Sequence, residues 1–145
     1  MDNCIICQKH RNESKDLLFQ GEHWKIYYGP YESQVAGYMY LEPDRHIENW
    51  SEFSTIELNE MTLLIQRSEN ILLELLKVER LYVVTISEAV RHLHLHLIPR
   101  LAEAELRGLP LIQSATQQNS EDTVVQQVDY VTLREELQKS FSKKR

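Results

Sequence analysis

Arg91-His92-Leu93-His94-Leu95-His96-Leu97-Ile98-Pro99-Arg100 alternates imidazole with leucine, and its reading decides the fold. In an extended chain residues two apart share a face, so His92, His94 and His96 line one side of a strand while Leu93, Leu95 and Leu97 bury the other. A helix would scatter both sets. Leucine favours helix over strand, but the period of two and the proline that closes the run argue for a strand. Three imidazoles in one row can serve as metal ligands, as phosphate-binding groups, or as a nucleophile with its neighbours.

The flanking sequence supplies the rest of a sheet. Leu17 to Phe19 and His23 to Tyr28 are short apolar or aromatic runs around Gln20-Gly21-Glu22, which reads as a hairpin ended by Gly29-Pro30. Tyr38 to Leu41 is a third strand, introduced by Gly37 and stopped at Pro43, and Leu81 to Ile86 is a β-branched and aromatic fourth. Ser54-Thr55-Ile56-Glu57 has capping-box spacing, and Leu58, Met61, Ile65, Ile71 and Leu72 recur at helical intervals up to about Lys77. Gln113 to Asp122 reads as a polar loop. A C-terminal helix is predicted over about 131–142, opening at Thr132-Leu133-Arg134-Glu135 with Leu133, Leu137 and Phe141 on one face. Strands, a long helix, more strands and a terminal helix predict an α+β fold with a mainly antiparallel sheet, in a single domain over 1–145.

Composition bounds the function. A chain of 145 residues, 42% hydrophobic and 26% charged, suits one core and is short for two. The formal net charge is −6 and the only basic block is Lys143-Lys144-Arg145, so no binding to a nucleic-acid backbone is expected, although local groups can still hold a small nucleotide. Met1-Asp2-Asn3-Cys4 lacks a charged n-region and an apolar h-region, and no stretch approaches bilayer-spanning length, so no membrane partner is expected and the chain is predicted to be cytoplasmic.

Cys4 and Cys7 form a Cys-x-x-Cys pair. Without an export signal such a pair more often binds metal or does redox work than forms a structural disulfide. A thioredoxin-like pair would sit at a strand-to-helix turn, whereas this one precedes every strand, so metal binding is the better reading. Two thiolates supply half of a tetrahedral site, and histidine is the plausible source of the remainder.

His92-Leu93-His94-Leu95-His96-Leu97-Ile98, followed by Pro99-Arg100, resembles the histidine-triad pattern, and Pro43-Asp44-Arg45-His46-Ile47-Glu48-Asn49 resembles a segment of bacterial members of that family. The resemblance implies a histidine-triad fold, usually homodimeric. It implies a nucleotide hydrolase or transferase acting at the alpha-phosphate of nucleoside phosphoramidates or dinucleoside polyphosphates. His94 corresponds to the attacking histidine, which forms a nucleotidyl intermediate, and His96 to a histidine that contacts phosphate and helps balance its charge. Members with an N-terminal Cys-x-x-Cys commonly hold a structural zinc, which implies Cys4, Cys7, His46 and His92 as its ligands here. Four protein ligands leave no open position, so such a zinc would brace the fold rather than react. For Arg100 a phosphate contact and a surface ion pair both stay open.

The chain also departs from the family pattern. Many members carry a Gly-Gln-Ser/Thr phosphate loop before the triad, where this chain has Thr85-Ile86-Ser87-Glu88-Ala89-Val90, shorter and with a carboxylate. Glu88 would repel a phosphate at close range unless it turns away or is paired. The ribose-binding aspartate often found after the second strand is replaced by Tyr28-Gly29-Pro30-Tyr31. These changes favour the alternative of a nucleotide-binding or zinc-stabilised interaction protein that keeps the fold without turnover.

Overall fold

In a computed structural model, which describes residues 3–118, 120 and 122–143, the chain forms helix α1 (Ile5–His10), strands β1 (Leu17–Gln20), β2 (Trp24–Tyr28) and β3 (Met39–Pro43), helix α2 (Thr55–Leu75), strands β4 (Val78–Val84) and β5 (Leu95–Leu101), and helices α3 (Leu109–Gln117) and α4 (Gln127–Ser142). The sheet order is β1-β2-β3-β5-β4 and each neighbouring pair is antiparallel. This is the α+β architecture the strand and helix order predicts. Lys144 and Arg145 of the terminal basic block lie outside the described residues.

The pleat separates two faces. Ile26, Met39, Leu41, Leu95 and Leu97 point to one side, where Met61, Leu64, Ile71 and Leu72 of α2 and Leu137 and Phe141 of α4 close a core with them. Leu93, Leu95 and Leu97 are 3%, 2% and 0% exposed, so the leucines of the opening decapeptide do bury as a set. Gly37 enters β3 with φ +79, and a Cβ there would sit 2.9 Å from Leu72 Cδ2, so both the turn and the packing of α2 require glycine. Tyr27, Tyr40, Glu42, His96 and Ile98 point to the opposite face. There α1 packs through His10 stacked on Tyr27, and α3 packs through Leu111 and Ala115 in a cluster with Tyr38 and Ile98.

Three local expectations are corrected, and one helix is added. The histidine strand starts only at Leu95 and runs through Pro99 to Leu101. Leu93 N–H donates to Ile47 O on the β3 side, so by the period of two Pro99 would also face that side; β3 pairs only as far as Leu97, and no ladder bond is lost there. Residues 113–117 are helical: Gly108 with φ +61 and Pro110 open α3, whose buried Leu111, Ser114 and Ala115 begin before the polar stretch that suggested a loop. Helix α4 begins at Gln127 rather than near residue 131, so Thr132 is interior and caps nothing, while Leu137 and Phe141 are buried as expected. Helix α1 was not predicted; its N-cap is Cys4, whose Sγ accepts the Cys7 N–H at 3.3 Å.

The capping box at Ser54 has a second task. Glu57 Oε1 accepts the Ser54 N–H at 2.8 Å, and the carboxylate takes both Arg45 Nε at 2.9 Å and Arg45 Nη2 at 2.7 Å. Trp24 Nε1 donates to Glu57 O at 2.8 Å, so one turn of α2 pins β2 and the segment after β3 together. The Arg45 hydrogen bonds hold the Glu57 carboxyl down at about 2, so its stabilisation is present at neutral pH and is lost as pH falls from the ordinary 4.5 through about 2. Glu57→Gln is expected to destabilise the fold by about 1–3 kcal/mol at pH 7 by leaving Arg45 without its ionic partner. Urea unfolding measures this, and an unchanged midpoint would remove Glu57 from the set of anchors.

Candidate functional site

The metal-ligand set assembles as the resemblance implies. Cys4 and Cys7 come from α1, His46 from the segment after β3, and His92 from the approach to β5. Their donor atoms all lie within 4.8 Å of one another and could hold a metal ion. His92 Nδ1 is 3.6 Å from Cys4 Sγ and 3.5 Å from Cys7 Sγ, and His46 Nδ1 is 3.5 Å from Cys7 Sγ. A tetrahedron with the usual Zn–S and Zn–N bond lengths has S···N edges of about 3.5 Å. These three edges match a zinc tetrahedron, and the group fits a zinc site.

Both imidazoles are oriented from behind. His92 Nε2 donates to Pro43 O at 2.9 Å, and His46 Nε2 lies 3.2 Å from Glu48 Oε2, so each ring presents Nδ1 to the sulfur atoms. His92 is fully buried, and burial pulls its pKa down to about 4, which keeps it neutral as a ligand must be. Burial also raises the Cys7 thiol, with the neighbouring Cys4 adding to it.

Beside this cluster lies a polar group that the sequence reading overlooked. Glu42 on β3 is 2% exposed, and it accepts from His10 Nε2 at 2.9 Å and Lys9 Nζ at 2.8 Å. Burial raises its pKa, but the bonds from His10 and Lys9 outweigh that and the net shift is downward. These contacts tie α1, and with it both cysteines, onto the sheet face beside Tyr27 and Tyr40. No motif announces them, because the glutamate reads as an ordinary exposed strand residue.

The other two triad histidines share an adjacent site. His94 Nδ1 lies 2.7 Å from the His92 carbonyl oxygen, which can only accept, so the proton is on Nδ1 and the lone pair is on Nε2. The His94 and His96 rings meet edge-on with centroids 5.1 Å apart. His96 Nδ1 is 2.7 Å from the Tyr38 hydroxyl, and the Tyr38 and Tyr40 rings flank it. Burial first and His94 second lower the His96 pKa to about 4, so His96 is a neutral imidazole at pH 7. Tyr38 is 1% exposed and its hydroxyl orients a site histidine, whereas Trp50 is 46% exposed.

Arg100 is placed apart from this pair. It follows His96 and Ile98 on the same pleat, is 8% exposed, and donates from Nη2 to Glu79 Oε1 at 2.8 Å. The ion pair, one of its two open readings, is formed through Nη2. In the loop before β5, Thr85 and Ser87 hydroxyls contact the His94 backbone, while Glu88 is exposed. Among the described residues no helix is long and apolar enough to cross a membrane.

No protein-family model and no curated protein matches the sequence. Solved structures do match. A Zn-bound histidine triad family protein from Mycobacterium smegmatis superposes with TM-score 0.65 at 16% identity over 95% of both chains. A Hit-like protein involved in cell-cycle regulation from Bartonella henselae, with an unknown ligand, gives 0.68 at 16% identity over 97% of both. A histidine triad nucleotide-binding protein from Sulfolobus tokodaii gives 0.66 at 17% identity, covering 95% of this chain and 91% of that one. At these identities the likeness is one of fold, and the chain has the histidine-triad fold.

The depressed His96 pKa has a direction that can be tested. The native state resists a proton that the unfolded chain accepts, so the contribution of His96 is complete above about pH 6.5 and is lost as pH falls towards about 4. In chemical denaturation the advantage of the wild type over His96→Gln should shrink across that window, with a slope approaching about 1.4 kcal/mol per pH unit. A difference that stays flat would mean His96 is protonated in the fold as readily as outside it.

Proposed function

We propose that the chain is a nucleotide hydrolase or transferase acting at the alpha-phosphate of nucleoside phosphoramidates or dinucleoside polyphosphates, with His94 as nucleophile. The observation that carries this reading is the His94 tautomer: with Nδ1–H committed to the His92 carbonyl, Nε2 has a free lone pair beside His96. In the first step the Nε2 pair forms a bond to phosphorus and the bond from phosphorus to the leaving nitrogen or oxygen breaks. The leaving group departs with the electron pair and takes a proton from solvent, which the attacking water returns in the second step. Water then attacks phosphorus, the P–N bond to His94 breaks, and the nucleoside monophosphate leaves.

Stabilisation of the phosphoryl oxygens falls to neutral donors. A Tyr38 hydroxyl that donates to His96 Nδ1 leaves the His96 proton on Nε2, where it can meet a non-bridging oxygen. Arg100 is left out of this role because it lies four residues beyond His96 along β5 and gives its Nη2 to Glu79. Zinc on Cys4, Cys7, His46 and His92 supports the reading structurally: when bound it would brace α1 and the start of the histidine run. A homodimer belongs to the same reading, since β4 is a sheet edge with Val83 exposed, open to pairing with a second copy. The carboxylate of Glu88, exposed in the loop before His94, favours the second reading, a nucleotide-binding protein without turnover.

His94→Ala should abolish the nucleotidyl-protein adduct and cut turnover by several orders of magnitude, while nucleotide binding persists. The measurement is single-turnover kinetics with an adenosine phosphoramidate or dinucleoside polyphosphate, followed by peptide mapping. An adduct on another residue, or full activity in His94→Ala, refutes the mechanism; binding without adduct or turnover in the wild type selects the second reading.

Protein purified without chelator should carry about one zinc per chain, as a closed four-ligand site requires. Cys4→Ser with Cys7→Ser should lose that zinc and melt earlier but keep part of the turnover. Elemental analysis with thermal melts checks this, and a fully folded double variant without activity would make the metal catalytic.

A further inference from the structure

The register of β4 on β5 places Val83 opposite Leu97 and Val84 opposite His96. Continued by two residues, it would bring Ile86 opposite His94 and supply that residue with ladder hydrogen bonds. The strand instead ends at Val84, and the chain turns away through Ser87, a non-glycine residue with φ +55. On the other side β3 pairs no further than Leu95, and the next contact is Leu93 N–H to Ile47 O. The backbone of His94 therefore lies beyond the last ladder pair of both neighbouring strands.

Two hydroxyls take the place of the missing ladder. Thr85 Oγ1 donates to His94 O at 2.6 Å, and Ser87 Oγ accepts the His94 N–H at 3.1 Å. The two hydroxyl oxygens are 3.3 Å apart, so the Ser87 proton can pass to Thr85 Oγ1 and close the network. Both backbone groups of His94 are then satisfied by side chains. Serine tolerates a left-handed backbone less well than glycine does, so a serine at this φ is a local cost that needs a compensating contact. Its hydroxyl on His94 is such a contact.

We propose that Thr85 and Ser87 form a hydroxyl clamp that positions His94 for attack where neither neighbouring strand supplies ladder hydrogen bonds. The proposal rests on the reading of His94 as nucleophile, and it makes Thr85 and Ser87 positioning residues that act through the His94 backbone. A ladder strand would satisfy the N–H and the carbonyl of His94. The clamp fixes the same two backbone atoms with two short side chains.

Three variants separate positioning from simple destabilisation. Ser87→Gly removes the hydroxyl while relaxing the left-handed backbone, Thr85→Val removes the other hydroxyl at nearly constant shape, and Thr85→Ser restores it. Ser87→Gly and Thr85→Val should each slow single-turnover formation of the His94 adduct by about 10- to 100-fold, the scale of a small misplacement of a reacting group. Nucleotide affinity should stay within a factor of two or so, and Thr85→Ser should recover most of the rate. Hydrogen exchange of the His94 amide should quicken in Ser87→Gly relative to the amide of Leu97. Wild-type adduct rates in both hydroxyl-free variants, or a Thr85→Ser variant as slow as Thr85→Val, overturn the proposal. Should the wild type form no adduct, the nucleophile reading fails separately, and amide exchange decides the clamp: faster exchange at His94 in Ser87→Gly upholds it, and unchanged exchange overturns it.

Discussion

The His92 ring is the constraint on which the rest of the site depends. Its Nε2–H is committed to Pro43 O, its Nδ1 faces two cysteine sulfurs, and its own carbonyl oxygen receives the His94 Nδ1–H. One residue thus joins the end of β3, the N-terminal helix and the His94 imidazole. A side chain that is 0% exposed cannot leave such groups unpaired without a large cost, so all three connections are enforced together. The tautomer of His94 is in this sense set by the same residue that faces the thiols.

The division of labour across the sheet follows from the pleat. Leucines at 93, 95 and 97 are locked into the core with α2 and α4, and the intervening imidazoles must then point to the opposite face. A one-residue slip would exchange the two sets and bury the histidines against Leu64 and Leu72. The apolar face thereby specifies the register of the chemical face. The polar face is built differently, from separate pairs such as Tyr38 with His96 and Glu42 with Lys9 and His10.

Legibility in the sequence divides along the same line. The alternating histidines, the Cys-x-x-Cys pair, the Ser54 capping box and the Leu137 and Phe141 face of the last helix are periodic or fixed-spacing signals, and each carries its structural meaning locally. The strand-rich core and the four-residue group that could hold a metal were therefore readable. Helix α1 was not, because a six-residue segment capped by a thiol has no apolar period to display. Helix α3 was misread because its buried residues are small or flanked by glutamine and serine, and its partners Tyr38 and Ile98 come from distant strands. Tyr38, Glu42, Thr85 and Ser87 gain their roles only from long-range pairing or from where β4 stops, and neither is encoded by spacing within one segment.

Burial also changes what a row of histidines can offer a phosphate. Desolvation depresses His92 and His96 to about 4 each, so at neutral pH these two members of the row add no positive charge. The nearby cations are likewise committed, Lys9 to Glu42 and Arg100 to Glu79. An anionic group approaching His94 would therefore meet oriented N–H and O–H donors rather than a cationic field. Such donors act at hydrogen-bonding distance and in fixed directions, so they favour a phosphoryl geometry that matches them over mere negative charge. With Glu88 exposed in the loop before the run, the balance at this face depends on alignment, and alignment in turn depends on how firmly the His94 backbone is held.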